Sequence, residues 1–332
     1  MPAPTLVTGA TGFVGSAVAR ALATRGHALR LLVRRGSDRR NVEGLGAELV
    51  EGDLLDPASL ARAVAGCRAM AHVAADYRLW VPDPGTMVRA NVDGTRALLL
   101  AAKEAGVERA VYCSSVAALG LTADGTPADE ATGVDPAKVI GAYKRSKWEA
   151  QRAVLDLARD GVPVVVVNPS APVGPRDAKP TPTGKMILDA AAGKMPAYVD
   201  TGLNVVHVDD VGEGHALAVE RGRVGECYIL GGEDLAMPAL LALIDEVVGR
   251  RAQRRARLPV GALMPVAVGA EAFARVTGRT PFVTRDTLAM ARKRMFFSSA
   301  KARAELGYAP RPAREAVRDA VAWFRGAGML KA

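Results

Sequence analysis

The sequence predicts an α/β fold in which a doubly wound parallel sheet is followed by a smaller, mostly helical C-terminal domain. Up to about Asn168, short aliphatic runs alternate with stretches whose apolar residues recur every three or four positions. This alternation is typical of a parallel sheet with helices on both faces. The next stretch, Pro169–Gly184, has too many turn formers for one continuous element, and we expect it to be a loop over an active site.

Six aliphatic runs give the candidate strands of the sheet, at Thr5–Val7, Leu29–Val33, Glu48–Glu51, Ala69–His72, Arg109–Cys113 and Val164–Asn168. The candidate helices between them are Ser16–Arg25, Ala58–Ala65, Gly94–Ala105 and Tyr143–Arg159. Later strands are expected near Asn204–Val208 and Cys227–Leu230, and later helices at about Met237–Val248, Ala291–Leu306 and Arg314–Phe324. We therefore expect 1–168 to form the first domain, with strands returning to it near 204–230, and 169–203 with 231–332 to form the second.

The composition is that of an ordinary globular chain without metal or disulfide signatures. Of the 332 residues, 49% are hydrophobic and 24% are charged. The four histidines and three cysteines have no metal-binding spacing, so we expect neither a metal nor a disulfide framework. The N-terminus lacks a signal-peptide pattern, and no apolar run approaches the ~20 residues that span a bilayer. These features predict a cytoplasmic protein.

The formal net charge of +9 raises the question of an anionic partner. Arginines are concentrated in Arg30–Arg40 and Arg250–Arg257, but no recognisable nucleic-acid module accompanies them, so we expect no nucleic-acid partner. An anionic small molecule or membrane surface suits these runs better. The second run leads into the short apolar stretch Leu258–Val268, as a peripheral contact with the inner face of a membrane requires. The alternative is a solvated loop and a helix that packs into the C-terminal domain.

The strongest local motif is a glycine-rich turn between the first candidate strand and a helix. Glycines in the spacing GxxGxxG permit a tight turn and let backbone amides approach a pyrophosphate, which the helix N-terminus attracts. A plain structural turn is the alternative, but the position in a first βαβ unit favours a bound dinucleotide. The expected contacts of the turn with this cofactor are Gly9, Thr11, Gly12, Phe13, Val14 and Gly15.

Arg34 and Arg35 follow the second candidate strand, where an acidic residue often binds the adenosine ribose of NAD. An arginine can instead form a bidentate pair with a 2′-phosphate. This position therefore favours NADP, with NAD left open, unless the two arginines are merely solvated. After the third strand, we expect Asp53 to accept a hydrogen bond from the adenine amino group, with Leu54 beside it.

Tyr143 and Lys147 lie four positions apart and thus one above the other on a helix, and Ser115 ends the preceding strand. A tyrosine with a pKa of about 10 is a poor base at neutral pH. A lysine ammonium and an oxidised nicotinamide would both favour its phenolate, and the serine hydroxyl would hold the substrate oxygen. The YxxxK spacing alone is common on helix faces, but after a dinucleotide turn it predicts that Tyr143 is an acid/base.

With these motifs the chain resembles the extended short-chain dehydrogenases/reductases, a group of NAD-dependent epimerases/dehydratases and dihydroflavonol-reductase-like enzymes. The resemblance covers nearly the whole length and also includes His72-Val73-Ala74-Ala75, Asn91-Val92-x-Gly94-Thr95, Asn168-Pro169 and His207-Val208-Asp209-Asp210-Val211. Within the group, the chain is most similar to hopanoid-associated sugar epimerases, through Asp76-Tyr77-Arg78-Leu79-Trp80, Gly174-Pro175-Arg176-Asp177 and Lys179-Pro180-Thr181-Pro182-Thr183-Gly184.

The resemblance implies a Rossmann-type fold with a C-terminal substrate domain, and a catalytic set of Ser115, Tyr143 and Lys147. It favours Ser115 over the adjacent Ser114 as the partner of the substrate oxygen. It also implies that the cofactor is contacted by Tyr143 and Lys147, by Ala74 and Ala75, and by Pro169 and Ser170 after Asn168. His207 and Asp210 are interpreted as mainly structural.

Many sugar-nucleotide epimerases carry an acid where this chain has Arg34 and Arg35, and they keep NAD tightly bound. The arginines are closer to the reductase-like members. The sequence therefore favours NADP(H)-dependent reduction of a carbonyl or oxidation of a hydroxyl, on a small or lipid-linked substrate such as a hopanoid side chain or sugar. A sugar epimerase is the alternative. A non-catalytic NADP sensor is disfavoured by Tyr143 and Lys147, and a homodimer stays open.

Overall fold

The structure is a computed structural model that describes residues 2–76, 84–139, 141–277, 283–291 and 293–331. Residues 77–80, which carry part of the resemblance to hopanoid-associated sugar epimerases, lie outside the described residues.

Strands occur along the whole described chain. In chain order they are β1 Thr5–Thr8, β2 Leu29–Val33, β3 Glu48–Glu51, β4 Ala69–His72, β5 Arg109–Cys113, β6 Val164–Pro169, β7 Ala171–Val173, β8 Ala197–Val199, β9 Gly202–His207, β10 Cys227–Leu230, β11 Glu233–Ala236, β12 Ala256–Leu258 and β13 Arg294–Met295.

The helices are α1 Phe13–Thr24, α2 Pro57–Val64, α3 Pro84–Val88, α4 Gly94–Glu104, α5 Ala142–Arg159, α6 Pro182–Ala191, α7 Val208–Arg221, α8 Met237–Val247, α9 Val260–Thr277, α10 Arg285–Ala291, α11 Ala300–Leu306 and α12 Ala313–Gly326. Between α3 and α4, residues 89–93 form one π-helical turn.

Seven parallel strands form the main sheet, in the order β10-β6-β5-β4-β1-β2-β3. Aliphatic side chains of β5 and β6 alternate between the two faces: Val111, Val165 and Val167 join one buried cluster, and Val164 and Val166 join the other. The doubly wound α/β prediction is confirmed. The order reverses between β1 and β4, and in such sheets ligands bind in the crevice at this switch point, outside the carboxyl ends of the strands.

A smaller, mostly helical part packs α6, α8 and α12 around a third buried cluster that includes Ile187, Leu240 and Phe324. It also contains two short sheets, β11-β9-β13 with β7 beside β9, and β12 with β8. Of the strands expected to return to the main sheet near 204–230, β10 lies in that sheet, but β9 belongs to the smaller one.

Two predictions for the C-terminal half are wrong. The expected helix Ala291–Leu306 is instead the end of α10, the strand β13 and α11, because Arg294 and Met295 pair with Gly202 and Leu203 of β9. The expected loop Pro169–Gly184 contains β7 and the beginning of α6. Within the described residues, no helix is long and apolar enough to cross a membrane.

Candidate active site

The glycine-rich turn connects β1 to α1 at the switch point of the main sheet. Gly9 has a φ of 71°, in the left-handed region, and a Cβ there would lie 2.7 Å from the amide nitrogen of Ala74. A Cβ at Gly15 would clash with the backbone of Gly9. Gly12, at the N-cap of α1, supplies no side-chain cap, and the first turn carries no acid. The turn therefore presents free helix amides to an anion.

A buried histidine holds the segment after β4 against this turn. The Thr8 hydroxyl accepts hydrogen bonds from the amides of Val73 and Ala74, at 3.2 and 3.1 Å. It lies 2.7 Å from Nδ1 of His72, whose Nε2 lies 2.9 Å from the Thr95 hydroxyl. Burial lowers the pKa of His72 to about 3, so the ring is neutral and has one donor and one acceptor nitrogen. The network fixes Ala74 and Ala75 beside Gly9.

Asn91, in the π-helical turn, ties the same segment to α5. Its Oδ1 accepts from the amide of Asp76 at 2.7 Å, and its Nδ2 donates to the carbonyl of Asp76 at 2.9 Å. Nδ2 also lies 3.1 Å from the Ser146 hydroxyl. Since Ser146 is three residues after Tyr143, these contacts connect the glycine turn to the predicted catalytic helix. Single π-helical turns frequently mark functional sites.

The two serines after β5 have different surroundings. The Ser114 hydroxyl is buried and donates to Oε1 of Gln151 at 2.6 Å. The Ser115 hydroxyl is only partly buried, and it accepts from the amide of Ala117 at 3.1 Å. Because the Ser115 hydroxyl is the acceptor in this hydrogen bond, it can still donate its own proton. Of the pair, Ser115 is thus the more accessible hydroxyl, as the prediction that it meets the substrate oxygen requires.

Tyr143 is the second residue of α5, and its side chain lies beside Ser115. Burial raises the pKa of the Tyr143 phenol, and a hydrogen bond with Ser115 offsets part of this effect. Lys147 is only 4% exposed, and its ammonium donates to the carbonyl of Cys113 at 3.1 Å. Burial also lowers the pKa of Lys147. The expectation that Lys147 and an oxidised nicotinamide together favour the phenolate stays a prediction, because it concerns the complex with the cofactor.

Two polar atoms at the end of β6 are buried without a hydrogen-bond partner among the described residues, namely Oδ1 of Asn168 and Oγ of Ser170. The Nδ2 of Asn168 is engaged, because it donates to the carbonyl of Ser115 at 2.9 Å and to Gln151 at 2.7 Å. Buried polar groups in proteins are normally satisfied. Orphaned atoms here fit a ligand with an amide, which is what the carboxamide of a nicotinamide would bring.

Arg34 and Arg35 are exposed after β2 and make no ion pair or hydrogen bond through their side chains with the described residues. Other arginines of the same run are paired: Arg30 with Glu48, Arg39 with Glu51 and Arg40 with Asp38. The run is therefore not uniform, and two of its guanidinium groups remain available to an anion.

The predicted adenine contacts follow β3. Asp53 is exposed, and its Oδ1 accepts from the amide of Leu55 at 2.9 Å. Leu54 is half-buried against Gly94. The free carboxylate oxygen of Asp53 is thus compatible with an outside donor.

Sequence reasoning missed two residues that organise the site. Gln151 joins Ser114 to Asn168, and Asn41 joins two chain segments: its Nδ2 donates to the carbonyls of Thr11 and Arg176 at 3.2 and 3.1 Å. Gln151 lies one turn after Lys147 on the same face of α5, and this spacing is the signal that could have found it. Asn41 lies in the loop region after β2, where no motif marks it.

His207 and Asp210 contact structural partners. Nδ1 of His207 accepts from the amide of Asp209 and caps α7, and its Nε2 lies 3.2 Å from Asp319. Asp210 is bound by Arg311. Among the described residues, no cluster of three potential metal ligands occurs.

Comparisons with known proteins agree with this geometry. Residues 5–231 match the NAD dependent epimerase/dehydratase family. A Synechocystis sp. protein provisionally named dihydroflavonol 4-reductase is 42% identical over 98% of this chain and 95% of its own length. Sterol demethylase protein B of Methylococcus capsulatus is 36% identical over 98% and 99%. A 4-hydroxy-2-methyl-3-oxo-4-farnesyl-3,4-dihydroquinoline-1-oxide ketoreductase of Stigmatella aurantiaca is 33% identical over 96% and 95%.

Two solved structures are similar over the whole chain. The crystal structure of gox2253 shares 62% identity, with a TM-score of 0.89 and coverage of 99% of this chain and 100% of that one. PA4631, a nucleoside-diphosphate-sugar epimerase from Pseudomonas aeruginosa, shares 28% identity, with a TM-score of 0.81 and full coverage of both chains.

Proposed function

The chain belongs to the NAD dependent epimerase/dehydratase family, an extended short-chain dehydrogenase/reductase family of NAD(P)-dependent enzymes, and from this premise we propose that it reduces a carbonyl group with NADPH, or oxidises the corresponding hydroxyl with NADP. The observation that carries this proposal is the pairing of Ser115 with Tyr143 above the buried Lys147. A non-catalytic sensor would not need such a pair.

Each of the three residues has a task in the proposed reaction. The Ser115 hydroxyl orients the substrate oxygen, and Tyr143 exchanges the proton with that oxygen. Lys147, held at the carbonyl of Cys113, binds the cofactor ribose and supplies positive charge below the site. The bound nicotinamide supplies or removes the hydride. Since burial raises the pKa of Tyr143, its phenol is protonated at neutral pH, which suits the direction of reduction.

We propose NADP(H) rather than NAD(H) because Arg34 and Arg35 are exposed and unpaired within the described residues, next to the place of the adenosine ribose. Two unpaired guanidinium groups suit a 2′-phosphate better than a neutral hydroxyl. The cradle of Gly9, Gly12 and Gly15 would hold the pyrophosphate.

For the substrate, we propose an apolar molecule with a polar reacting group, such as a hopanoid side chain or a sugar attached to it. The names of two relatives, one for a sterol demethylase protein and one for a farnesylated ketone reductase, support a polycyclic or isoprenoid substrate. Such a substrate also supports location in the cytoplasm at the inner face of a membrane.

Sugar epimerisation is the second candidate, favoured by the similarity over the full length to PA4631. An epimerase restores its cofactor in every cycle, whereas a reductase consumes it. The two functions therefore differ in whether NADPH disappears in proportion to product.

The test is to incubate the purified protein with NADPH and a panel of carbonyl compounds, including isoprenoid and polycyclic ketones and aldehydes, and to follow NADPH absorbance together with product chirality. Stoichiometric loss of NADPH that requires Tyr143 supports reduction. Inversion of a sugar centre without net cofactor consumption would establish the epimerase instead. If neither reaction occurs with any panel member while NADPH still binds, the sensor interpretation gains support.

A further inference from the structure

The outer face of α9 is apolar although it is exposed. Val266, Val268 and Phe273 are 46%, 49% and 59% exposed. The other exposed positions of this face are Gly261, Ala262, Pro265, Gly269 and Ala272. A surface helix of a globular protein normally carries charged or polar residues opposite its buried side.

The buried side of α9 is formed by Ala267 and Ala274, so the exposed positions cover about half of the helix circumference at 100° per residue. Glu271, the only acid of α9, is 13% exposed and bound by Arg285. Among the described side chains, this outer face therefore presents no charge over several turns. Contiguous apolar patches of this kind mark interaction sites.

The arginine run before α9 divides into two groups. Arg250 and Arg255 bind the fully buried carboxylate of Asp245, at 3.2 and 2.7 Å. These two arginines therefore bind inside the protein and are not available to an outside anion. Arg251 and Arg254 are exposed and, within the described chain, have no side-chain partner. They precede β12, which leads through one residue into α9.

The sign of the charge along this segment is uniform. From 247 to 270 the sequence contains five arginines and no acid. A face of uncharged side chains that closely follows two unpaired arginines along the chain is complementary to a lipid surface with anionic headgroups. It is less suited to a second copy of this chain, which would bring further arginines to the contact.

The same helix is connected to the candidate active site. α9 packs against α10, and the carboxylate of Asp286 in α10 approaches Gly141, which precedes α5 and Tyr143. A surface that α9 rests on would therefore lie within reach of the entrance to the site.

We propose that the outer face of α9, together with Arg251 and Arg254, docks the protein on an anionic membrane surface. This inference rests on the proposed function, because a lipid-like substrate would then reach Tyr143 directly from the bilayer. The apolar side chains would enter the headgroup boundary, and the arginines would pair with phosphates.

The experiment is co-sedimentation of the full-length protein with vesicles of phosphatidylcholine alone or mixed with phosphatidylglycerol. We expect binding to the mixed vesicles only, weakening with added salt. Val266→Asp and Phe273→Asp should each reduce binding at least tenfold. Replacing Arg251 and Arg254 by serine should reduce it by roughly fivefold for each arginine.

Matched variants show whether a loss of vesicle binding comes from this surface or from any added aspartate or lost arginine on the protein. Val224→Asp introduces the same change at a valine that is 47% exposed elsewhere, and Arg68→Ser with Arg159→Ser removes two other exposed arginines. These controls should bind like the unaltered protein. Absence of binding to the mixed vesicles, or equal loss in Val224→Asp and Val266→Asp, would overturn the proposal.

Two further measurements complete the test. Self-association in solution that Phe273→Asp abolishes would identify a second copy as the occupant and would also overturn the membrane assignment. Turnover of a water-soluble carbonyl compound should be unchanged in Val266→Asp. Vesicle binding without any reductase activity would leave the docking surface standing and refute only the proposed function.

Discussion

Gly15 and Gly9 approach each other so closely that a Cβ at Gly15 would lie 2.5 Å from the carbonyl carbon of Gly9 and still closer to its oxygen. Both groups belong to the backbone, so neither can rotate away. Gly15→Ala should therefore open the turn, weaken dinucleotide binding at least tenfold and lower the melting temperature. The measurements are a fluorescence titration with NADPH and thermal unfolding.

The matched control for this change is Gly133→Ala, because a Cβ at Gly133 meets no atom within 4 Å and its φ is not positive. It should bind NADPH normally. If Gly15→Ala did so too, the close packing of α1 on the turn would not be needed for the cofactor.

The bridge made by Asn41 should couple the cofactor turn to the loop before α6. Its Nδ2 binds Thr11 and Arg176, and Arg176 has a positive φ of 73° although it is not a glycine. Loss of these hydrogen bonds, worth about 1 kcal/mol each, should weaken NADPH binding about five- to thirtyfold in Asn41→Ala.

The coupling also has a readout that does not depend on turnover. Trypsin should cleave the bond after Arg176, whose carbonyl accepts from Asn41, more slowly when NADPH saturates the unaltered protein. In Asn41→Ala, saturating NADPH should protect this bond much less. Equal protection in both proteins would show that the bridge does not transmit cofactor binding to the loop.

Substitutions at the two adjacent serines should have different effects: loss of the Ser114 hydroxyl should lower stability, and loss of the Ser115 hydroxyl should lower catalytic activity. Ser114→Ala removes one of the two donors to Oε1 of buried Gln151, the other being Nδ2 of Asn168, so it should lower the free energy of unfolding by about 1 kcal/mol. Ser115→Ala and Tyr143→Phe should lower kcat roughly 100-fold or more while NADPH affinity stays nearly unchanged. Lys147→Ala should impair both. Substantial activity in Tyr143→Phe would refute the proposed acid/base.

The positions of the serines illustrate what the sequence could predict. Strands β2 to β5 agree with the predicted runs to the residue. For β2, β4 and β5 the reason is that buried parallel strands read as nearly continuous apolar segments, whereas β3 is mostly exposed. The glycine spacing and the interval from Tyr143 to Lys147 are local patterns, so they could be recognised directly. What distinguishes Ser114 from Ser115 is a contact with Gln151, which only the folded chain brings near.

Other features depend on partners distant in the sequence. β13 has two residues, and its pairing with β9 rather than its own pattern makes it a strand. The inward direction of Arg250 and Arg255 depends on the burial of Asp245. A run of arginines looks uniform in the sequence, but in the folded chain some of its members pair with a buried carboxylate and others are exposed.

Arg34 and Arg35 should determine the choice of cofactor. Charge-assisted hydrogen bonds contribute about 1.5–3 kcal/mol each, so Arg34→Ala or Arg35→Ala should weaken NADPH binding roughly 10- to 100-fold and leave NADH binding unchanged. Arg34→Asp should invert the preference. Arg39→Ala, which removes an arginine already paired with Glu51, is the matched control. Tighter binding of NADH than NADPH by the unaltered protein would contradict the prediction.

Asp177 lies at the start of the loop before α6. Its carboxyl group should make the folded protein less stable as the pH rises, whereas most carboxylates have the opposite effect. Its side chain is 2% exposed, and burial raises its pKa from 3.8 to about 6, although it accepts hydrogen bonds from Thr181. The folded state therefore binds the proton more tightly than the unfolded chain. This contribution to stability is complete below about pH 4 and is lost as the pH rises to about 6 and above.

In Asp177→Asn this dependence should disappear, because the amide does not titrate but can still accept from Thr181. The difference between the two proteins should grow by up to about 3 kcal/mol from pH 4 to pH 7, measured by urea unfolding at each pH. Asp245→Asn provides the opposite case: a hydrogen bond from Arg255 is the main cause that lowers the pKa of Asp245. Its carboxylate thus stabilises the fold above about pH 4, and its replacement should be destabilising at neutral pH. Parallel pH profiles for the unaltered protein and Asp177→Asn would mean that the Asp177 carboxylate is solvated in the folded state.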